Sequence, residues 1–314
     1  MDPVIFSVNL GPFTLTLHWY GVLVGLGVAV SGWLAEREIR RRGENPEHVW
    51  NALLWLLPAG VTGARLWYVV NATLGGNPYY LENPGKIIAV WEGGLHFYGA
   101  LLFGILALLA YARKYRIDLL LFLDVIAPIT LIGQAVARPA NFINQELYGQ
   151  PTSLPWGIPI DAQHRLPIYA DLTQYPVETT RFHPTFAYEM IWNFSLAGLI
   201  LWAARRWPQR FKPGMLLACW LLAAGVGRVL VDIFRPDQPR IPGTAISYTQ
   251  LVSALMAVLG LVLMLVRLGR IRLPGLTLPD EYNLSPAAGQ QGLEQTPPSS
   301  HSPRKVRRGR QREP

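Results

Sequence analysis

A single cysteine, Cys219, rules out any intrachain disulfide. It lies in the apolar run 215–224, without the electropositive, accessible setting of a reactive thiolate, so it reads as an inert buried thiol. Charge is scarce as well: 15% of the 314 residues are charged, against about 25% in soluble domains. There is no Walker loop and no GxGxxG, which speaks against nucleotide chemistry. The histidines (His18, His48, His96, His164, His183 and His301) show no HxxxH spacing and no cysteine partner, so no metal set stands out. Few serines stand near them, which disfavours a Ser–His hydrolase. Residues 1–6 lack the basic start and small-residue cleavage site of a signal peptide, so the first apolar helix is expected to remain as a membrane span. No internal repeat is evident, which weakens a transporter built from duplicated halves.

What is abundant is apolar sequence, 51% of the chain. It is concentrated in seven runs, roughly 17–35, 50–70, 95–112, 119–137, 185–204, 214–234 and 246–266. A span needs about 20 mostly apolar residues, and no soluble core needs seven such runs. The fold class expected is therefore an all-α integral membrane protein with seven transmembrane helices. Trp19, Tyr20, Trp33, Trp50, Trp67 and Trp202 fall near the ends of these runs, where amphipathic rings meet the headgroups.

Basic residues alternate from loop to loop. Arg37, Arg40, Arg41 and Arg42 follow span 1, Arg113, Lys114 and Arg116 follow span 3, and Arg205, Arg206, Arg210 and Lys212 follow span 5. Arg267, Arg270 and Arg272 follow span 7, and the alternate segments are poorer for their length. Positive loops stay cytoplasmic, so the N-terminus is expected outside and the C-terminus inside, with an extracytoplasmic head region between spans 4 and 5. Residues 1–272 make the membrane domain. Residues 273–314, rich in Pro, Ser, Gly, Gln and Arg, are expected to be a disordered basic cytoplasmic tail. Its basic stretch 304–312 suits anionic lipid better than nucleic acid.

Charged groups inside a bilayer are costly and usually mark a site. Here Arg65 ends span 2, Arg138 ends span 4 with Asn141, Asn144 and Glu146 close behind, and Glu189 opens span 5. Arg228 lies in span 6, with Asp232 and Arg235 four and seven residues on, so the three share one helix face. An i,i+4 pair of Arg228 and Asp232, with Arg235 reaching to the interface, is the plain structural account. Arg65, Arg138, Arg228 and Arg235 together, however, outnumber Glu146 and Asp232, and guanidinium forks in an apolar setting suit phosphate oxygens. A phosphate at bilayer depth points to a phospholipid headgroup. Asn141 and Asn144 fit two roles equally, hydrogen bonding to that headgroup or capping the helix end. Gly93-Gly94-Leu95-His96-Phe97-Tyr98-Gly99 opens span 3 with two candidate proton-transfer groups, His96 and Tyr98.

Taken in order, these motifs resemble the prolipoprotein diacylglyceryl transferase family. The resemblance is carried by His18-Trp19-Tyr20-Gly21, Gly63-Ala64-Arg65-Leu66 and Trp91-Glu92-Gly93-Gly94, then by the stretch Arg138-Pro139-Ala140-Asn141-Phe142-Ile143-Asn144-Gln145-Glu146-Leu147-Tyr148-Gly149. His183-Pro184 with Tyr188-Glu189, Arg228 to Arg235-Pro236-Asp237, and Gln250-Leu251 complete it. It implies a plasma (inner) membrane enzyme of a prokaryote. Such an enzyme moves the diacylglyceryl group of phosphatidylglycerol to the lipobox cysteine thiol of a prolipoprotein signal peptide, without a cofactor. By the same resemblance Arg138 and Arg228 hold the phosphate, Asn141 holds the headgroup, and Glu146 orients an arginine or the loop. Tyr20 and Gly149 also match functional positions, and Arg65, Asn144, Arg235 and Asp232 join the substrate site. The sequence departs from the family in Tyr98 for His, Asp232 for Glu, Thr185-Phe186-Ala187 after His-Pro, and Pro139. The proton acceptor stays open between Tyr98, His96 and a position outside these motifs. The rival readings are a lipid or anion transporter, or a relative that binds lipid and signal peptide without chemistry.

Overall fold

The computed structural model describes residues 2–11, 13–275 and 277–284. It opens with an element not expected in an all-α chain: a β-hairpin of β1 (Val4–Leu10) and β2 (Phe13–His18). Apolar and polar residues alternate along β2 and over the second half of β1, and Ser7 faces Thr16, its hydroxyl donating at 3.2 Å. The apolar residues of β2 run directly into the first helix, so hydropathy alone joins the two.

Helices then follow in the expected order. They are α1 (Trp19–Arg41), α2 (Glu47–Leu74), the single turn α3 (Tyr79–Glu82), α4 (Phe97–Tyr115), α5 (Leu119–Ala137) and the short α6 (Pro139–Ile143). After a long irregular segment come α7 (Thr185–Arg206), α8 (Met215–Asp232) and α9 (Tyr248–Arg267). Seven of them, counting α5 with α6, are long and apolar enough to cross a membrane. Their outer faces carry bare apolar side chains, such as Leu54 at 71% and Leu255 at 61% exposure. In water such surface would drive association, whereas in lipid it is already solvated.

The first helix outruns its apolar stretch by a full turn. Glu36 pairs with Arg40 at 2.7 Å, and the buried Glu38 holds Arg41 at 2.6 Å and Arg42 at 3.2 Å. These i,i+3 and i,i+4 pairs let the helix continue into the polar zone.

Packing divides the bundle. α2 packs on α4, α1 on α5, α5 on α7 and α8, and α8 on α9. The α1–α5 contact is close because a Cβ on Gly27 would lie 2.5 Å from the Gly133 carbonyl oxygen, so only glycine fits there. Between α1, α2 and α5 the packing opens into an apolar cavity of about 390 Å³, lined by residues such as Val28, Leu53, Ile126 and Ile129. It runs up to Gln134 and Ala137, the last turn before Arg138.

The segment between α6 and α7 has a small core of its own, made of Tyr148, Ile160, Tyr169 and Phe182. The Tyr148 hydroxyl ties it, accepting from Leu166 N at 2.5 Å and donating to the His164 carbonyl at 3.1 Å. At the opposite end of the bundle the packed chain extends past residue 272. Tyr282 donates to Asp124 at 2.8 Å and accepts from Arg42 at 2.8 Å, and Lys212 pairs with Asp280 at 2.9 Å. The rest of the expected tail, 285–314, lies outside the described residues.

Candidate active site

α5 ends at Arg138 because Pro139 has no N–H to continue the ladder, yet its fixed φ suits the first position of α6. The chain thus turns without breaking, and Arg138 sits at the corner. Its guanidinium donates from Nη2 to Glu189 Oε1 and from Nη1 to Asn141 Oδ1 at 3.3 Å. Glu189, one turn into α7, offers its other oxygen to Arg228 Nη1 of α8 at 3.3 Å. Arg228 also lies 3.6 Å from Asp232 one turn on, and Asp232 accepts from the Ser247 hydroxyl at 2.5 Å. Ser247 and Gln250 form the capping box that starts α9. A continuous polar chain therefore joins α6, α5, α7, α8 and α9.

On its other side the chain reaches Glu146. Asn141 and Asn144 both donate to Glu146 Oε1, at 2.8 and 3.3 Å. Gln145 and Leu147 flank it in the left-handed backbone region, at φ 52° and 54°. Such backbone persists only where the surroundings hold it, and here the two asparagines and the Glu146 N–H bond to the Asn141 carbonyl do so.

The cluster is poorly solvated. Side-chain exposure is 18% for Arg138, 24% for Arg228, 14% for Glu189 and 0% for Asp232. Arg138 Nε is buried without a partner among the described residues. A free donor on one of two guanidinium groups, with an apolar cavity that reaches the preceding residue Ala137, fits an anionic headgroup on an apolar body.

A family profile described as Prolipoprotein diacylglyceryl transferase matches residues 3–266. The chain belongs to that family. It is 37% identical over 243 residues to a phosphatidylglycerol–prolipoprotein diacylglyceryl transferase of Chloroflexus aggregans, covering 75% of this chain and 78% of the relative. A protein of the same name from Symbiobacterium thermophilum is 36% identical over 264 residues, covering 84% of this chain and 92% of its own length. A third, from Streptomyces coelicolor, is 37% identical over 239 residues, covering 76% and 71%.

Not every candidate drawn from the family pattern joins the cluster. Arg65 is buried, and its donors reach the carbonyls of Ile87 at 2.9 Å, Lys86 at 2.5 Å and Gly93 at 2.6 Å. It holds the 86–94 loop, with Tyr80 stacked 5.3 Å away. Arg235 forms a fork-to-fork pair with Asp237 at 3.1 and 2.6 Å. That pair, together with its hydrogen bond from Gln238, outweighs the burial that would otherwise raise Asp237, and holds its carboxyl below the ordinary value of 3.8. At Gly149 a Cβ would stand 2.7 Å from the Phe234 carbonyl oxygen, so this glycine allows the 145–150 strand of loop to lie on the end of α8.

His96 and Tyr98 stack at 5.5 Å between ring centroids at the start of α4. His96 Nδ1 is buried without a partner among the described residues. Neither side chain bonds to Arg138 or Arg228 among those residues, and α4 packs chiefly on α2. Tyr20 is 47% exposed at the start of α1. His183 has its Nδ1 3.0 Å from the Tyr188 hydroxyl, and burial holds its imidazole below the usual 6.5. It helps line an aromatic cavity of about 340 Å³ with Trp156, Tyr188, Trp192 and Phe234, on the flank of α7 and α8.

Sequence reasoning left two members of the cluster without a role. Glu189 was visible as a carboxylate inside a span, which is itself a signal. Its two partners lie 51 and 39 residues away, so sequence spacing does not connect them. Ser247 carried no signal beyond its place before an apolar run.

Proposed function

We propose that this chain transfers the diacylglyceryl group of phosphatidylglycerol to the lipobox cysteine thiol of a prolipoprotein. The observation that carries the reading is the convergence of Arg138 and Arg228 on one carboxylate, Arg138 directly following Ala137, which lines an apolar cavity. Family membership supplies the reaction class, and the cluster accounts for its electrostatics.

In this reading the acyl chains lie in the cavity between α1, α2 and α5, and the phosphate meets Arg138, Arg228 and the Asn141 amide. The cysteine sulfur attacks the glycerol carbon that bears the phosphate ester. The carbon–oxygen bond breaks, a thioether forms, and glycerol phosphate leaves with the electron pair of that bond. The thiol proton passes to a protein acceptor and ends in solvent or on the phosphate. Negative charge moves from sulfur to phosphate, where fixed guanidinium donors in a dry site stabilise it. Glu146 holds Asn141 and Asn144 in place. His96, with its unpartnered Nδ1, and Tyr98 stacked on it remain the acceptors proposed. The aromatic cavity beside Tyr188 suits apolar side chains of the signal peptide.

The arginine-rich helix ends face the cytoplasm in this reading, and the site faces outward in the plasma membrane of a prokaryote. The test is a transfer assay on purified full-length protein with phosphatidylglycerol and a lipobox peptide. A mass gain of one diacylglyceryl unit on cysteine is expected, and loss of that gain in Arg138→Ala and Arg228→Ala. Full activity in either variant sinks the assignment.

A further inference from the structure

The mechanism above uses the two arginines and leaves Glu189 unassigned. Resting on that transferase reading, we propose that Glu189 is a positioning residue whose single carboxylate spaces the two guanidinium groups and competes with substrate phosphate for them. Both oxygens are engaged, Oε1 by Arg138 and Oε2 by Arg228 at 3.3 Å, so its acceptors face the arginines and not an incoming thiol. The side chain comes from α7, a third helix between the two that carry the arginines, and is 14% exposed. No other carboxylate touches both arginines among the described residues: Asp232 reaches only Arg228, and Glu146 reaches only the asparagines.

The charges explain why a shared carboxylate helps. Arg138 and Arg228 carry two positive charges, and Glu189 and Asp232 carry two negative ones, so each guanidinium already has a carboxylate partner. The lipid phosphodiester brings one negative charge and meets arginines already partnered. As the carbon–oxygen bond breaks, the leaving phosphate gains a second charge and displaces the carboxylate more effectively. The arginines then bind the transition state better than the bound lipid, which is what accelerates a reaction. Without Glu189 the cations would hold lipid and product tightly from the start.

The test is Glu189→Gln in the full-length enzyme, read as kcat, KM for phosphatidylglycerol and inhibition by added glycerol phosphate. The expected result is a split: kcat falls on the order of 100-fold while KM does not rise. Inhibition by glycerol phosphate tightens by roughly fivefold or more, because a competing anion is gone. A merely structural salt bridge would instead raise KM and weaken glycerol phosphate inhibition together, and that result overturns the proposal, as does unchanged kcat. Should Glu189→Gln fail to fold, Glu189→Asp serves. It keeps the charge but reaches one arginine at a time, so kcat falls about tenfold with KM near wild type. An unchanged kcat in that variant overturns the proposal. Absence of transfer by the unmodified enzyme would sink the transferase reading itself, whereas wild-type transfer with an indifferent Glu189 sinks only this role.

Discussion

The guanidinium of Arg65 meets backbone carbonyls of a single loop, whereas that of Arg228 faces two carboxylates, Asp232 of its own helix and Glu189 of the preceding α7. Both are arginines in the apolar part of a span, and their surroundings separate the roles. Arg65→Ala removes its hydrogen bonds to the partly buried carbonyls of Lys86, Ile87, Gly93 and Gly94, at about 0.5–1.5 kcal/mol net for each. A clear drop in the melting temperature of the detergent-solubilised protein is expected, with loosening of the 86–94 loop to protease. Arg228→Ala is expected to lower transfer by roughly 100-fold or more with a smaller change in melting, since Glu189 keeps Arg138. Melting curves and transfer rates on the two variants decide between the roles, and an active, stable Arg65→Ala would refute the first. In the sequence these residues look alike, because guanidinium chemistry is the same and only the partner differs.

Helix ends set the next level. The Arg235–Asp237 pair closes the segment after α8, and Asp237 titrates lower in the folded chain than its ordinary 3.8. Its stabilisation is therefore present above the unfolded carboxyl range and lost as pH falls through the lower folded value. Acid titration of melting temperature should show a descending limb below about pH 4. Asp237→Asn should flatten that limb and lower stability at neutral pH; an identical limb in the variant would refute the assignment. The helices themselves were legible, since a 20-residue apolar run has few alternatives in lipid. The β-hairpin was not, because Leu15 and Leu17 merge with the apolar start of α1 in any hydropathy window. Nor was the extension of α1 to Arg41, which depends on salt bridges and not on apolar content.

For the whole molecule, contacts at the end opposite the site continue past the membrane domain. Tyr282 bonds Asp124 and Arg42, the Asn283 N–H reaches Asp118 at 2.7 Å, and Arg267 donates to the Pro279 carbonyl at 2.8 Å. Burial, with the nearby Asp124 carboxylate, pushes the Tyr282 hydroxyl well above its ordinary value of 10. Asp124 in turn caps α8, accepting from Gly214 N and Leu217 N at 2.5 and 2.7 Å. Truncation after residue 272 is expected to lower the melting temperature by several degrees, and truncation after 284 to leave it near wild type. Equal melting of both truncations would show that the 279–283 contacts add nothing.

The sequence by itself determined the seven apolar helices, their order and the family. Apolar length and buried charge are local properties, costly enough in a bilayer to be read one residue at a time. Only the tertiary structure decided which charges meet. Glu189 bridges arginines 51 and 39 residues away, Ser247 anchors Asp232, and Arg65 turns to its own loop. Those pairings depend on how α5, α7 and α8 pack, and a carboxylate's partner is set by distance in space, which sequence spacing across separate helices does not contain.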